Sequence, residues 1–421
     1  MLLIKILKKT IKFFIYLISP IFILILLVIY PFLKVRFSLQ SSERIGEIST
    51  QMEVYLSEKK LDKKFDYFDI FILTDIVSNY TYISLLKKKV NIYPNFLTFP
   101  IYKILKLVGQ KINFFNLFIL NTKYEDSNFA IMQTNINLKP DDDFIAKGNR
   151  FLKKIGLPED AKIICLIVRD NEYLKKKFPD SNYDYHDYRN CNIENFKEAI
   201  NASTNRGYYV FRMGEIVKDE LKINNEKFID YSSKFRSDFL DVYLAYKCNF
   251  CITTSTGWDC VAAFTFRKPT LWTNYVPVGN LLTYSPNFLF SLKHHMNIQT
   301  KKYLNLKQIS ESLASYANST WKYKKANIEL KENTPKEIKD LTIEMIDRIE
   351  KKNKYTDEDE KLQKVFWDMY VKFFNINNVR KFETTYKINP YWCTSKRLYK
   401  DKIISRIGNN FLKDNRFLIN E

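Results

Sequence analysis

The chain has 421 residues, 46% of them hydrophobic, which is too long for one ordinary domain and ample for packed cores. Sixty-seven Lys and Arg against 47 Asp and Glu leave a net charge of +20, suited to anionic partners such as membrane surfaces, nucleic acids or nucleotide phosphates. The six cysteines (165, 191, 248, 251, 260 and 393) lack the spacing of a secreted scaffold and read as reduced thiols, which excludes a disulfide-framed module.

The first predicted element is a membrane segment. Phe13 to Leu33 runs for 21 residues without a charge, long enough to cross a bilayer core. It is longer than the apolar core of a signal peptide, and no small-residue cleavage site accompanies it. Lys5, Lys8, Lys9 and Lys12 flank one side, and Lys34, Arg36 and Arg44 the other. The positive-inside bias is therefore weak, and both flanks suit an anionic leaflet. Pro20 and Pro31 mark places for a kink or a re-entrant turn.

Beyond Arg44 the patterns alternate. Residues 65–75, "FDYFDIFILTD", predict a buried strand, "IVSNYTYISLLKKKV" a helix and "NFLTFPIYKILKLVGQ" another. Asp141, Asp142 and Asp143 open a helix that Gly156 and Pro158 close; acids there complement the helix dipole, a stronger reading than a DxD metal motif. From Ala161 the alternation sharpens. "KIICLIVRD", "YYVFRMG", "KFIDYS", "FCITTST" and "PTLWTNY" predict strands, and "NIENFKEAINASTNRG", "SDFLDVYLAYKC" and "GWDCVAAFTF" the helices between them. Strands separated by single short helices imply a parallel sheet, and such sheets bind ligands outside their carboxyl ends. That singles out Arg169, Asp170, Arg212, Gly214, Thr254, Ser255, Thr256 and Gly257.

The stretch "TTSTGWD" sets hydroxyls and a glycine where a strand becomes a helix, the place for a phosphate cradle of backbone N–H groups or for a plain Ser/Thr cap. Arginines at neighbouring strand ends favour the anion, because a guanidinium grips phosphate bidentately. No GxxxxGK[ST] or GxGxxG occurs. Cys248 and Cys251 form a single CxxC without a second pair or a nearby histidine, which reads as strand packing rather than zinc or redox chemistry. Asp238 and Asp241 share a helix face; Asp238 reads as a helix-start acid and Asp241 as a possible donor contact. The paired His294 and His295 have no further ligand in view.

In "VRDNEYL", "YHDYRNCNIENFKEAI", "GYYVFRMG", "FIDY", "RSDFLDVYLAYKCNFCITTSTGWD" and "NYVPVG", with an echo in "IGNNFLKDNRFL", the chain resembles bacterial glycosyltransferases of surface-polysaccharide biosynthesis clusters. It has a fainter likeness to fucosyltransferase-type donor sites. The resemblance implies an α/β, GT-B-like fold: two Rossmann-like domains facing a cleft, preceded by an N-terminal membrane helix. The expected organisation is a membrane segment over 1–36, an acceptor domain over 44–158, a nucleotide-sugar donor domain over 159–330 and a helical charged tail over 331–421. In fucosyltransferase-type sites an arginine after a central strand and a Ser/Thr-rich turn contact the donor diphosphate; Arg169 and Thr254–Gly257 fill those places by position. The resemblance further implies a hexosyl- or deoxyhexosyltransferase without metal or other cofactor. It would use a nucleotide-sugar as donor substrate, a lipid-linked or glycan acceptor, and membrane lipid as a partner, with no nucleic acid.

"YHDYRN" then lies in a loop at the carboxyl end of the Arg169 strand, where rigid scaffolds carry function. If transfer inverts configuration, a base must take the acceptor proton; His186 and Asp187 are the candidates, and Arg189 would offset diphosphate charge. The bland alternative is an ordered loop with a local Asp187–Arg189 ion pair. Nucleotide sugars and free thiols favour a cytoplasmic catalytic part at a bacterial inner membrane. Two rival classes stay open: a membrane-anchored anion- or nucleic-acid-binding module, and another transferase, such as a pyruvyl transferase, on a similar scaffold.

Overall fold

A computed structural model describes residues 2–62, 67–124, 126, 128–180, 182–386 and 403–420. Cys393, Phe65 and Asp66 fall outside the described residues. The chain is mixed α/β with parallel sheets and divides into two units, Met1–Asp141 and Asp142–Glu421.

The first unit begins with helix α1, Leu2–Ile29. Strand β1, Lys34–Gln40, follows it, then α2, Ile45–Leu61, β2, Tyr67–Leu73, α3, Tyr80–Lys87, β3, Asn91–Tyr93, and α4, Asn95–Gly109. The three strands form one parallel sheet in the order β1-β2-β3. Residue 44, where the sequence places the start of this domain, comes after β1, so the strand that abuts the apolar helix already belongs to the sheet. Arg36 and Asp69 are register partners on β1 and β2. The Arg36 Nε and Nη2 atoms donate to Asp69 at 2.7 and 3.0 Å, and the Tyr55 hydroxyl donates to the same carboxylate at 2.6 Å. Burial and then the Asp69 carboxylate push the Tyr55 phenol well above its ordinary range. The apolar side of the sheet packs Phe37 and Ile72 with Tyr102 and Leu105 of α4, Phe118, and Ile23 of α1.

In the second unit, α5, Asp142–Lys154, leads to β4, Lys162–Ile167. Then come α6, Lys197–Asn205, β5, Tyr208–Arg212, β6, Phe228–Ile229, α7, Asp238–Lys247, β7, Phe250–Thr253, β8, Thr270–Tyr275, and β9, Phe288–Leu292. The boundary between the two units falls at the start of α5, whereas the sequence places it after Pro158. The reason is packing: Phe144 meets Phe239 of α7 at 4.8 Å, and the Tyr243 hydroxyl donates to Asn149. Gly148 leaves room for the Tyr243 ring, which a Cβ there would meet at 2.0 Å.

The seven-stranded sheet is parallel throughout, in the order β12-β9-β8-β7-β4-β5-β6, where β12 is Arg406–Ile407. Such sheets are covered on both faces, which explains the near-continuous apolar run "KIICLI" of β4. On one face, Ile164 and Leu166 pack with Phe196, Ile200 and, from α8, Pro335–Ile349, with Ile338, Leu341 and Met345. Cys165 points to the other face, where its thiol lies 3.8 Å from the Leu244 carbonyl of α7. Residues 331–421 therefore contribute a face-covering helix and an edge strand of this sheet. An antiparallel pair, β10, His294–Asn297, and β11, Ile328–Lys331, stands beside it.

Candidate functional site

Chain order in the large sheet runs outward from β4 through β5 to β6 on one side, and from β7 through β8 and β9 to β12 on the other. Adjacent β4 and β7 are therefore the topological switch point, where doubly wound sheets leave a crevice at the carboxyl ends. Two bonds join their tips. The Thr254 amide donates to the Ile167 carbonyl at 3.3 Å, and the Arg169 amide donates to Thr254 Oγ1 at 2.8 Å. Arg169 and the hydroxyl-rich turn thus meet at one point, although 85 residues separate them in sequence.

The segment that contains His186 folds onto the same point. Asp184–Arg189 is a short 3-10 helix. The Cys191 amide donates to the Arg169 carbonyl at 3.0 Å, and Arg189 Nη2 donates to the Ser255 carbonyl. The far side of the segment is pinned too: Thr320 Oγ1 donates to the carbonyls of Asp184 and Tyr185, and accepts from the Tyr188 amide. Burial pushes the Tyr188 phenol up, against the pull of Arg189 and Arg169. The Tyr275 phenol, at the tip of β8, also rises through burial, with Arg189 opposing.

His186 is half-buried and its ring packs on Tyr185 with centroids 4.0 Å apart and the planes tilted by 37°. Asp187 accepts from Asn190 Nδ2 at 2.8 Å and from Asn171 Nδ2 at 3.4 Å. Both amide donors reach Oδ1, and Arg189 reaches the Ser255 carbonyl, so a local Asp187–Arg189 pair is not what orders the segment. Asp170 accepts from the amides of Glu172 and Lys218, both at 3.0 Å, and so ties together the loops that follow β4 and β5.

Two expectations look different in three dimensions. Arg212, at the tip of β5, is 4% exposed and pairs at 3.2 Å with Asp230, itself 4% exposed. The register of β5 and β6 sets this acid beside it. Asp241 belongs to another internal network: it accepts from Tyr231 at 2.8 Å and from Arg236 Nε at 3.1 Å, and burial lifts its carboxyl to about 6 against the Arg236 charge. Gly214 has a steric role, because φ is +155° and a Cβ would meet Val217 Cγ1 at 2.6 Å.

The turn "TTSTGWD" is closed by its own last residue. Asp259 Oδ2 accepts from Thr253 Oγ1 at 2.5 Å and from the Thr256 amide at 2.7 Å, while the Ser255 amide donates to Thr253 Oγ1 at 3.0 Å. The expected cradle of free amides at Ser255 and Thr256 is therefore not formed; an acid three residues after Thr256 folds back as a cap would. The helix beyond is only Trp258–Cys260 before a π-helical turn, Val261–Thr265. What the turn offers is side-chain hydroxyl: the Ser255 and Thr256 oxygens are buried without a hydrogen-bond partner, and Ser255 has φ +61°. Gly257, at φ −163°, is extended backbone open to any residue.

Two functional candidates escaped the sequence reading. Asp259 was legible as an acid at capping distance from Thr256. Lys293, just past β9, is buried, and its Nζ donates to the carbonyls of Tyr188 and Asn190 at 3.2 and 2.6 Å. It clamps the Asp184–Arg189 segment from below, and only tertiary structure brings it there. Nearby, burial pushes the Cys191 thiol up to about 11, against the Lys293 charge, so it stays protonated at neutral pH. Among the described residues no three His, Cys, Asp or Glu side chains gather as a metal-binding set. The His294 ring lies 3.1 Å from Glu337. Burial of that carboxyl is outweighed by the His294 hydrogen bond and charge, which hold it down to about 2.

No family model matches the chain, and no curated protein matches it. Among solved structures it is similar to the E. coli ADP-heptose LPS heptosyltransferase II, with a TM-score of 0.32 and 12% identity, over 57% of this chain and 86% of that one. A likeness at that level carries no assignment.

Proposed function

We propose that the chain is a glycosyltransferase that takes a hexosyl or deoxyhexosyl group from a nucleotide-sugar, with the donor diphosphate at the β4–β7 switch point. The reading rests on one observation: the Arg169 backbone amide and the Arg189 guanidinium, from separate elements, both bond to the same hydroxyl-lined turn at the place where doubly wound sheets bind ligands. The two units would be the acceptor and donor halves of a GT-B-type enzyme. The acceptor would be a lipid-linked or glycan hydroxyl in envelope polysaccharide synthesis at a bacterial inner membrane, with the catalytic part cytoplasmic.

The chemistry needs few groups. The acceptor oxygen attacks the anomeric carbon, the carbon–oxygen bond to the diphosphate breaks, and its electron pair leaves on the phosphate. Arg169 and Arg189 offset that charge, with the hydroxyls of Ser255 and Thr256 as donors. In an inverting reaction His186 takes the acceptor proton, and Asp187 holds the segment through Asn190 and Asn171. No metal enters these steps.

Thermal unfolding with UDP- and GDP-sugars, and with a CMP-sugar as the monophosphate control, tests the reading. One nucleotide class at about 100 times its Kd should stabilise the fold by about 2.7 kcal/mol. Stabilisation by DNA with none from any nucleotide would favour the binding-module class instead.

A further inference from the structure

We infer that α1 and the segment from α4 to Phe118 form one membrane-docking face, with α1 lying in the plane of an anionic leaflet instead of crossing the bilayer. This holds whatever the β4–β7 site binds. A helix that is apolar all round needs cover on every side. One side of α1 has it. Ile23, Leu26, Leu27 and Tyr30 pack with Tyr102, Leu105 and Phe118. Lys12 Nζ reaches Asn95 Oδ1 at 3.4 Å and sits 4.7 Å over the Phe99 ring. Lys103 lies 5.8 Å over Tyr16, and Tyr30 meets Phe114 and Phe118 edge-on at 5.8 and 5.2 Å. Partner numbers rise together, so α1 runs alongside α4 over its whole apolar length.

The other side has no cover among the described residues. Phe13, Leu17, Ile21, Leu24 and Val28 are each 60–73% exposed, and only 11% of the apolar window is buried, which is unlike the core helix of a soluble domain. Leu107, Ile112, Phe114 and Leu117 are also exposed and continue the apolar surface next to Tyr30.

A crossing is incompatible with this packing. It would carry Lys103 and Lys106, which are exposed on α4, and the Arg36–Asp69 pair of the adjoining sheet into hydrocarbon. An in-plane helix sunk about 5–10 Å leaves them at the headgroups. Charge is segregated to match. The first 42 residues contain no Asp or Glu, and between Asp75 and Glu125 the chain has seven lysines and no acid. A cation-only rim around an apolar face fits an anionic bilayer surface. An in-plane helix also keeps both ends of α1 on one face of the membrane, which a single span does not.

The test uses the full chain in sealed bacterial membrane vesicles, with Cys191, Cys260 and Cys393 replaced by serine. Leu7→Cys near the start of α1 and Leu61→Cys at the end of α2, both exposed, are labelled with a membrane-impermeant maleimide. The expected result is labelling of both from the same face, with a disulfide forming in the membrane between Tyr16→Cys and Lys103→Cys. Labelling from opposite faces, absence of the cross-link in membrane-bound protein, or failure to sediment with phosphatidylglycerol vesicles would each overturn the inference.

Discussion

Arg169 and Arg212 stand at the tips of neighbouring strands of one sheet, and the structure uses them in opposite ways. Arg169 follows β4 at the switch point, half-buried and stitched to Thr254. Arg212 ends β5 one strand away and is sealed against Asp230. The residue type and the topological place are nearly the same. The difference lies in what the neighbouring strand supplies: β6 brings a carboxylate to the Arg212 guanidinium, whereas the turn after β7 brings a hydroxyl to the Arg169 backbone amide and a carbonyl to the Arg189 guanidinium. An arginine at a strand end that is sealed against an acid of the neighbouring strand is thus removed as an anion ligand.

That contrast can be broken first at Arg212. Arg212→Ala leaves Asp230 buried without its partner and should cost about 3–5 kcal/mol of stability in urea unfolding. Replacing Asp230 as well should recover part of that, giving a coupling energy in a double-mutant cycle. A loss below 1 kcal/mol would mean that the pair is solvated.

Arg169→Ala should behave oppositely. Its unfolding midpoint should stay near that of the wild type, while sugar transfer falls by about 10²–10³-fold, the scale seen when one donor to a developing anion is removed. Wild-type turnover by this variant would remove Arg169 from the site.

A smaller effect is expected from Thr254→Val, which takes away the acceptor of the Arg169 amide and should cost about 1–3 kcal/mol. Weaker donor binding should accompany it, because the arginine's backbone is no longer fixed. Unchanged binding would place the tip of β4 under other control.

The smallest change is a pH effect at Asp241. Burial raises its folded pKa to about 6, above the ordinary carboxylate range, so the folded state holds the proton more tightly than the unfolded chain. Its contribution is complete below about pH 4 and is lost as pH rises through 6. Asp241→Asn should flatten that part of the stability profile; an unaltered slope between pH 4 and 7 would contradict it.

Local signals revealed many elements. Ser237 caps α7 by accepting from the Leu240 amide at 3.2 Å, and Gly207 ends its helix at φ +85°, as their residue types suggest. The strand at residues 162–167 was legible because burial on both faces leaves an unbroken apolar run. β1 was not, because "KVRFSLQ" mixes charge into the run and abuts a membrane-like helix. β12 is two residues long and pairs across more than a hundred positions with β9, which no local period can signal. The site divided in the same way. Arg169 and the hydroxyl turn were visible at strand ends, and Asp259 stands at capping distance from Thr256, but the clamp by Lys293 and the Arg212–Asp230 pair depend on contacts between distant elements.

The central claim is that Arg169 and Arg189 hold one diphosphate. Calorimetric titration of UDP and GDP into wild type, Arg169→Ala, Arg189→Ala and the double variant tests it most directly. One nucleotide should bind the wild type at a single site, each single variant should lose about tenfold or more in affinity, and the two losses should be non-additive. Wild-type affinity in both single variants would contradict it.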